Sequence, residues 1–177
     1  MTVRRIVTGF RDGRPVVLSD GPAPTEHHYK ATPGMMTSIL WAAEADPRST
    51  VEEAAPRGVA THPEPGHSRF LVVDFPPDAV LMHPDFDGAL AGVEQLTHLI
   101  GFAERFELDN PGMHQTATVD YAIVIKGPVW LDLDDGAPLE LNTGDTVVQQ
   151  RTRHAWRNKG THSARLGFVL IGSSQSG

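Results

Sequence analysis

Short runs rich in Val, Ile, Leu and Phe recur along this chain, each closed by Gly, Pro, Asn or Asp, and they predict a mostly β protein. The stretches RRIVTGF (4–10) and RPVVLSD (14–20) flank Asp12-Gly13, a pair suited to a tight hairpin turn. MMTSILWAA (35–43) and SRFLVVDF (68–75) read as further strands. From Met113 onward the pattern predicts strands at 114–126, 128–133, 138–141, 145–150, 154–158 and 164–171, with turns in DLDDGAP (132–138) and LNTGD (141–145).

Two segments depart from this rhythm. Leu90, Val93, Leu96, Ile100 and Phe106 fall near helical spacing and predict an amphipathic helix over 88–106, weakened by Gly92 and Gly101. Residues 44–68 form a polar, Pro-rich connection expected to be exposed and mobile. The tail GSSQSG (172–177) is expected to be loose, and no internal repeat or low-complexity segment is present.

Length and composition then narrow the class. At 177 residues and 40% apolar content, one domain over 1–177 with a real core is expected: strands, loop and helix over 1–110, and a β core over 111–172. The formal charge of −7 and the lack of a basic run argue against nucleic acid as a partner. The absence of cysteine excludes disulfides, thiolate ligands and cysteine nucleophiles. No apolar run approaches 18 residues and the N-terminus carries no signal-peptide pattern, so no membrane partner and a cytoplasmic location are expected.

The candidate chemistry lies in MHQTATVDYAIVIKG (113–127) and GDTVVQQRTRHAWRN (144–158). On an undistorted strand His114, Thr116, Thr118 and Asp120 share one face, and His154 must come from a neighbouring strand. Two imidazoles and a carboxylate suit a divalent transition metal, with open positions for water and substrate. Spacing alone leaves a second reading open, in which all three are ordinary hydrogen-bonded residues of a β protein. Trp156 shares parity with His154 and is a candidate pocket wall or plain core. Gln149 or Gln150 reaches a cavity, depending on strand register. By alternation Tyr121 faces away from Asp120. His27, His28, His62 and His67 lie in polar, Pro-flanked segments and read as surface residues, and His98 as a solvent-facing or interface residue. Phosphate loops, G-x-S-x-G and H-E-x-x-H are absent.

Residues 114–158 resemble the two motifs of the cupin superfamily, whose first motif runs His-x-His, three or four residues, Glu, six residues, Gly. Here it reads His114-Gln115-Thr116, three residues, Asp120, six residues, Gly127. The second motif begins with Gly and ends in His, three residues, Asn; here that is Gly144-Asp145 through His154 to Asn158. Thr116 replaces the usual second histidine and Asp120 the usual glutamate. The second motif is one residue short, and Gln and Arg occupy its Pro and Gly positions in VVQQRTRH (147–154).

The resemblance implies an all-β fold, a small RmlC-like jelly-roll barrel with extra N-terminal strands and one helix. It implies His114, Asp120 and His154 as ligands of a divalent metal (Zn, Fe, Mn or Ni), with Thr116, Trp156 and Gln149 at the substrate. A metal-dependent lyase or isomerase acting on a small organic acid or polyketide-like intermediate is the leading expectation. A non-haem Fe(II) oxygenase and a non-catalytic small-ligand-binding cupin are the alternatives. A homodimer through N-terminal strands is also expected, and the helix before His114 is a lid over the barrel mouth or packs on its outer wall.

Overall fold

The computed structural model describes residues 2–46, 51–134 and 136–174. Its strands are β1 (Arg5–Arg11), β2 (Arg14–Gly21), β3 (His27–His28), β4 (Met36–Ala43), β5 (Ser68–Phe75), β6 (Thr118–Lys126), β7 (Val129–Asp132), β8 (Leu139–Leu141), β9 (Thr146–Gln150), β10 (Ala155–Arg157) and β11 (Ala164–Gly172). Helices α1 (Asp78–Leu81) and α2 (Gly88–His98) lie between β5 and β6. All pairings are antiparallel. The large sheet has the order β3-β4-β5-β11-β6-β9, and a second sheet has the order β10-β7-β8.

The two sheets close on one core. Leu71, Val73, Ala122, Val124, Leu166, Phe168 and Leu170 from the large sheet pack with Val129, Leu131 and Leu141 from the small one. Each such side chain contributes roughly 1.5–3 kcal/mol by leaving water. This is the two-sheet, jelly-roll arrangement that the cupin motifs imply. β1 and β2 form a separate hairpin, turned at Asp12 and Gly13 with φ of 51° and 74°. Buried Arg5 fastens that hairpin by donating to the Leu40 carbonyl (3.1 Å) and to both carboxylate oxygens of Glu53 (2.9 and 2.6 Å).

Three expectations need correction. The helix ends at His98 rather than 106, because Gly101 turns the chain at φ +73° and only a short 3-10 turn follows at Ala103–Arg105. β6 starts at Thr118 rather than 114, although burial still alternates from His114 through Thr116 and Thr118 to Asp120. The connection over 44–68 is not simply exposed: Ala55, Thr61 and Pro63 are buried, and Thr61 N donates to the Ile100 carbonyl (2.8 Å). The part of that expectation at 47–50 lies outside the described residues, as does the end of the tail. Among the described residues no helix is long and apolar enough to cross a membrane.

Candidate active site

Both cupin-like segments use their glycines to bring strand ends together. A Cβ on Gly127 would sit 3.1 Å from Val124 and 3.2 Å from the Thr143 amide, so the turn after β6 needs the bare backbone. Gly144 takes φ +96° in the turn before β9, where Asp145 accepts from the Asn142 amide (2.7 Å). Asn158 is a strut, not a ligand. Its amide donates to the carbonyls of Phe75 and His162, both at 2.9 Å, tying the end of β10 to the end of β5.

That scaffold places His114 and His154 directly opposite each other in an isolated antiparallel bridge. Each backbone amide donates to the other's carbonyl, at 3.0 and 2.9 Å. The two rings therefore leave the backbone side by side, with centroids 4.3 Å apart. Each Nδ1 lies against the carbonyl two residues earlier, Gly112 at 3.0 Å for His114 and Thr152 at 2.9 Å for His154. An Nδ1–H donating there leaves Nε2 as a bare lone pair on both rings.

Electrostatics keep these rings neutral. Burial pushes His154 down to about 4, helped by its neighbour His114 and resisted by the Thr152 carbonyl. Burial also lowers His114, against the pull of the Gly112 carbonyl and Glu107. Asp120 moves the other way: burial raises its carboxyl to about 6, eased by the Thr118 hydroxyl.

The two histidines, Asp120, Gln149 and Trp156 line one cavity of about 710 Å³. Phe102 and Phe106 pack against His114 at 5.0 and 5.3 Å, and Trp156 stands edge-on to His154 at 5.9 Å. α2 forms a further wall through Ala91, Gln95 and Leu96, continued by Leu99 just after the helix. Asp87 caps it, accepting from the Ala89 and Leu90 amides (2.9 and 3.0 Å).

Thr116 does not line this cavity. Its buried hydroxyl bonds that of Thr118, two residues on along the same face, at 2.7 Å. Among the described residues, no three His, Asp or Glu side chains stand close enough to hold one ion. The donor chemistry of the two imidazoles fits a divalent metal, since both offer an unprotonated Nε2 and have the other nitrogen fixed by a carbonyl. Asp120 shares the cavity without completing a triad in the arrangement described. Tyr121 faces outward as expected, half-exposed on the far side of β6.

Sequence reasoning passed over a second cluster. His27 and His98 stack at 3.4 Å, and Glu94 accepts from His27 (2.8 Å), Lys30 N (2.9 Å) and Ala31 N (2.8 Å). These bonds fasten α2 to the edge of the large sheet. Two histidines 71 positions apart (98 minus 27) carry no local signal of such a contact.

No family model matches this chain. It is 43% identical over 61 residues to phomopsin biosynthesis cluster protein C′ of Diaporthe leptostromiformis, a match covering 33% of this chain and 32% of that one. It is 37% identical over 62 residues to oryzines biosynthesis cluster protein J of Aspergillus oryzae, covering 34% and 35% respectively. The chain thus spans about a third of the length of the curated relatives it matches. Among solved structures, an RmlC-like cupin from Methanocaldococcus jannaschii is similar at TM-score 0.39 and 16% identity, over 63% of this chain and 73% of that one. KdgF from Halomonas gives TM-score 0.39 and 14% identity, over 78% and 81%. An Fe(II) form of HppE gives 0.40 and 18%, over 95% and 56%. Likeness at this level carries no argument about activity.

Proposed function

We propose that this chain is a cupin-type enzyme that performs redox-neutral, lyase or isomerase chemistry on a small molecule held in the cavity. One observation carries the reading: two buried, neutral imidazoles present bare Nε2 atoms in the same mostly apolar pocket as a buried carboxyl. A divalent transition metal held by His114 and His154 would supply Lewis-acid stabilisation of developing negative charge on a substrate oxygen. Asp120 is the group suited to move a proton, because a carboxyl raised to about 6 is close to the operating pH of a general base. The aromatic walls at Phe102, Phe106 and Trp156 exclude water from that transfer.

The reading includes a homodimer, through the outer face of the large sheet rather than through N-terminal strands. Phe70, Val169, Tyr121 and Val148 form one registered row across β5, β11, β6 and β9, with Ile123 and Ile125 beside it. That row is free of charged side chains, so a second copy meets it without like-charge repulsion.

Elemental analysis of protein purified without a metal-affinity column tests the central reading. Stoichiometric zinc, manganese or nickel that is lost in His154→Ala supports it. Iron would favour oxygenase chemistry, and no stoichiometric metal would favour a binding cup.

A further inference from the structure

Two atoms on the cavity floor are left without a role as hydrogen-bonding groups. Asp120 Oδ1 and Gln149 Nε2 are both buried and have no hydrogen-bond partner. Yet Asp120 and Gln149 sit opposite each other across β6 and β9, a register that holds Cβ atoms about 5 Å apart. Each residue is 6% exposed, and both line the cavity. One acceptor atom and one donor atom on registered neighbours thus stand unpaired, a deficit that a third group offering both functions can meet. Leaving both unmade is unfavourable in a folded protein, so the filling group gains by supplying a donor and an acceptor side by side.

Charge narrows the class of that group. Asp78, Glu104, Glu107 and Asp120 line the cavity, against one cationic side chain among the described residues, Arg157. The Arg157 guanidinium is already committed to Asp132 (3.1 Å), the Pro111 carbonyl (2.6 Å) and Asn110 Oδ1 (3.0 Å). A carboxylate seated on this pair would bring its charge directly against Asp120, even where an ion held by His114 and His154 neutralises charge elsewhere in the cavity. Beyond the floor the walls are apolar, with Leu71, Val73, Phe168 and Leu170 on the sheet side.

We propose that the Asp120–Gln149 pair reads the carboxamide edge of an uncharged ligand with an apolar tail. The ligand N–H donates to Asp120 Oδ1, and its carbonyl accepts from Gln149 Nε2. This rests on the small-molecule cup described above and moves its substrate class from organic acids to neutral amides.

Titration calorimetry on the full chain at about pH 8 tests this with three probes sharing one tail: hydrocinnamamide, hydrocinnamic acid and methyl hydrocinnamate. The amide is expected to bind roughly tenfold tighter than the acid or the ester. Gln149→Leu should bring the amide down to the level of the ester. Asp120→Asn, which keeps the shape and removes the charge, should let the acid bind as well as the amide. Should Asp120→Asn fail to fold, the wild-type and Gln149→Leu titrations decide alone. An acid that matches the amide on the wild type overturns the inference, as does an amide lead that survives Gln149→Leu. Three probes binding equally would overturn the inference and leave the cup reading standing. If none binds, the cup reading fails, and the inference with it.

Discussion

The cavity has two unlike walls. On the sheet side, β6, β9 and β11 are held by antiparallel ladders, with one register shift at Arg165/Leu166, and backed by the buried core. On the other side α2 buries only Ala91 fully, and leaves Leu90, Val93 and Leu96 about half or more exposed. What holds α2 is polar: Glu94 accepts from two backbone amides and from His27. The wall assigned to the proposed chemistry is thus held by packing, while the helical wall is fastened by the Glu94 carboxylate and the His27–His98 stack. Precision is needed where atoms react, and a looser wall suits the passage of a ligand.

The largest test of this contrast is on the floor. His154→Ala should lower turnover by about 10²–10⁴-fold, the usual weight of a group acting directly at the reacting centre, with little change in circular dichroism. Unchanged turnover would remove the floor from the chemistry.

Next comes the packing behind the sheet wall. Leu166, 0% exposed at the centre of the core, should cost about 2–5 kcal/mol when truncated in Leu166→Ala, read by urea unfolding.

The helical wall should respond less, and with a pH signature. Burial alone would raise the Glu94 carboxyl, but the Lys30 and Ala31 amides and His27 outweigh it and hold it near about 2. A carboxyl depressed from its unfolded value of 4.5 adds stability above pH 4.5, and that stability is lost as pH falls through 2. Glu94→Gln should therefore cost about 1–2 kcal/mol at neutral pH and little near pH 2, and should raise amide exchange in α2. Equal destabilisation at both pH values would mean that the carboxylate charge is not what fastens the helix.

The smallest effect on the monomer is expected on the far side of the sheet wall. Ile123→Ser should change unfolding free energy by no more than about 0.5 kcal/mol, since this side chain is already 47% exposed. It should still shift the chain from dimer to monomer in light scattering, because the row it borders lies on the proposed interface.

Much of the β architecture was legible because alternation and turn chemistry are local: Asp12-Gly13 marked the first hairpin, and Tyr121 was correctly turned away from Asp120. His114 and Thr116 show the limit. Strand parity does place both on the buried face with Asp120, but it carries no information on which buried side chains reach the cavity, and Thr116 turns its hydroxyl to Thr118 instead. The pairing of Asp120 with Gln149 depends on the register between two strands, and the His27–Glu94–His98 contact on how a helix docks against an edge. Neither is written in any window of sequence. The buried state of Ala55 and Thr61 was hidden for the same reason, since a polar, Pro-rich segment gives no sign of what it will lie against.

The way the two imidazoles are anchored has a consequence for how this site responds to substitution. Each ring is oriented by a carbonyl two residues earlier in its own chain, Gly112 for His114 and Thr152 for His154. No other side chain is needed to set which nitrogen faces the cavity. The donor pair is thus aimed by its own backbone, and a substitution in the cavity wall that leaves the scaffold intact should change the fit of a ligand without turning either lone pair away.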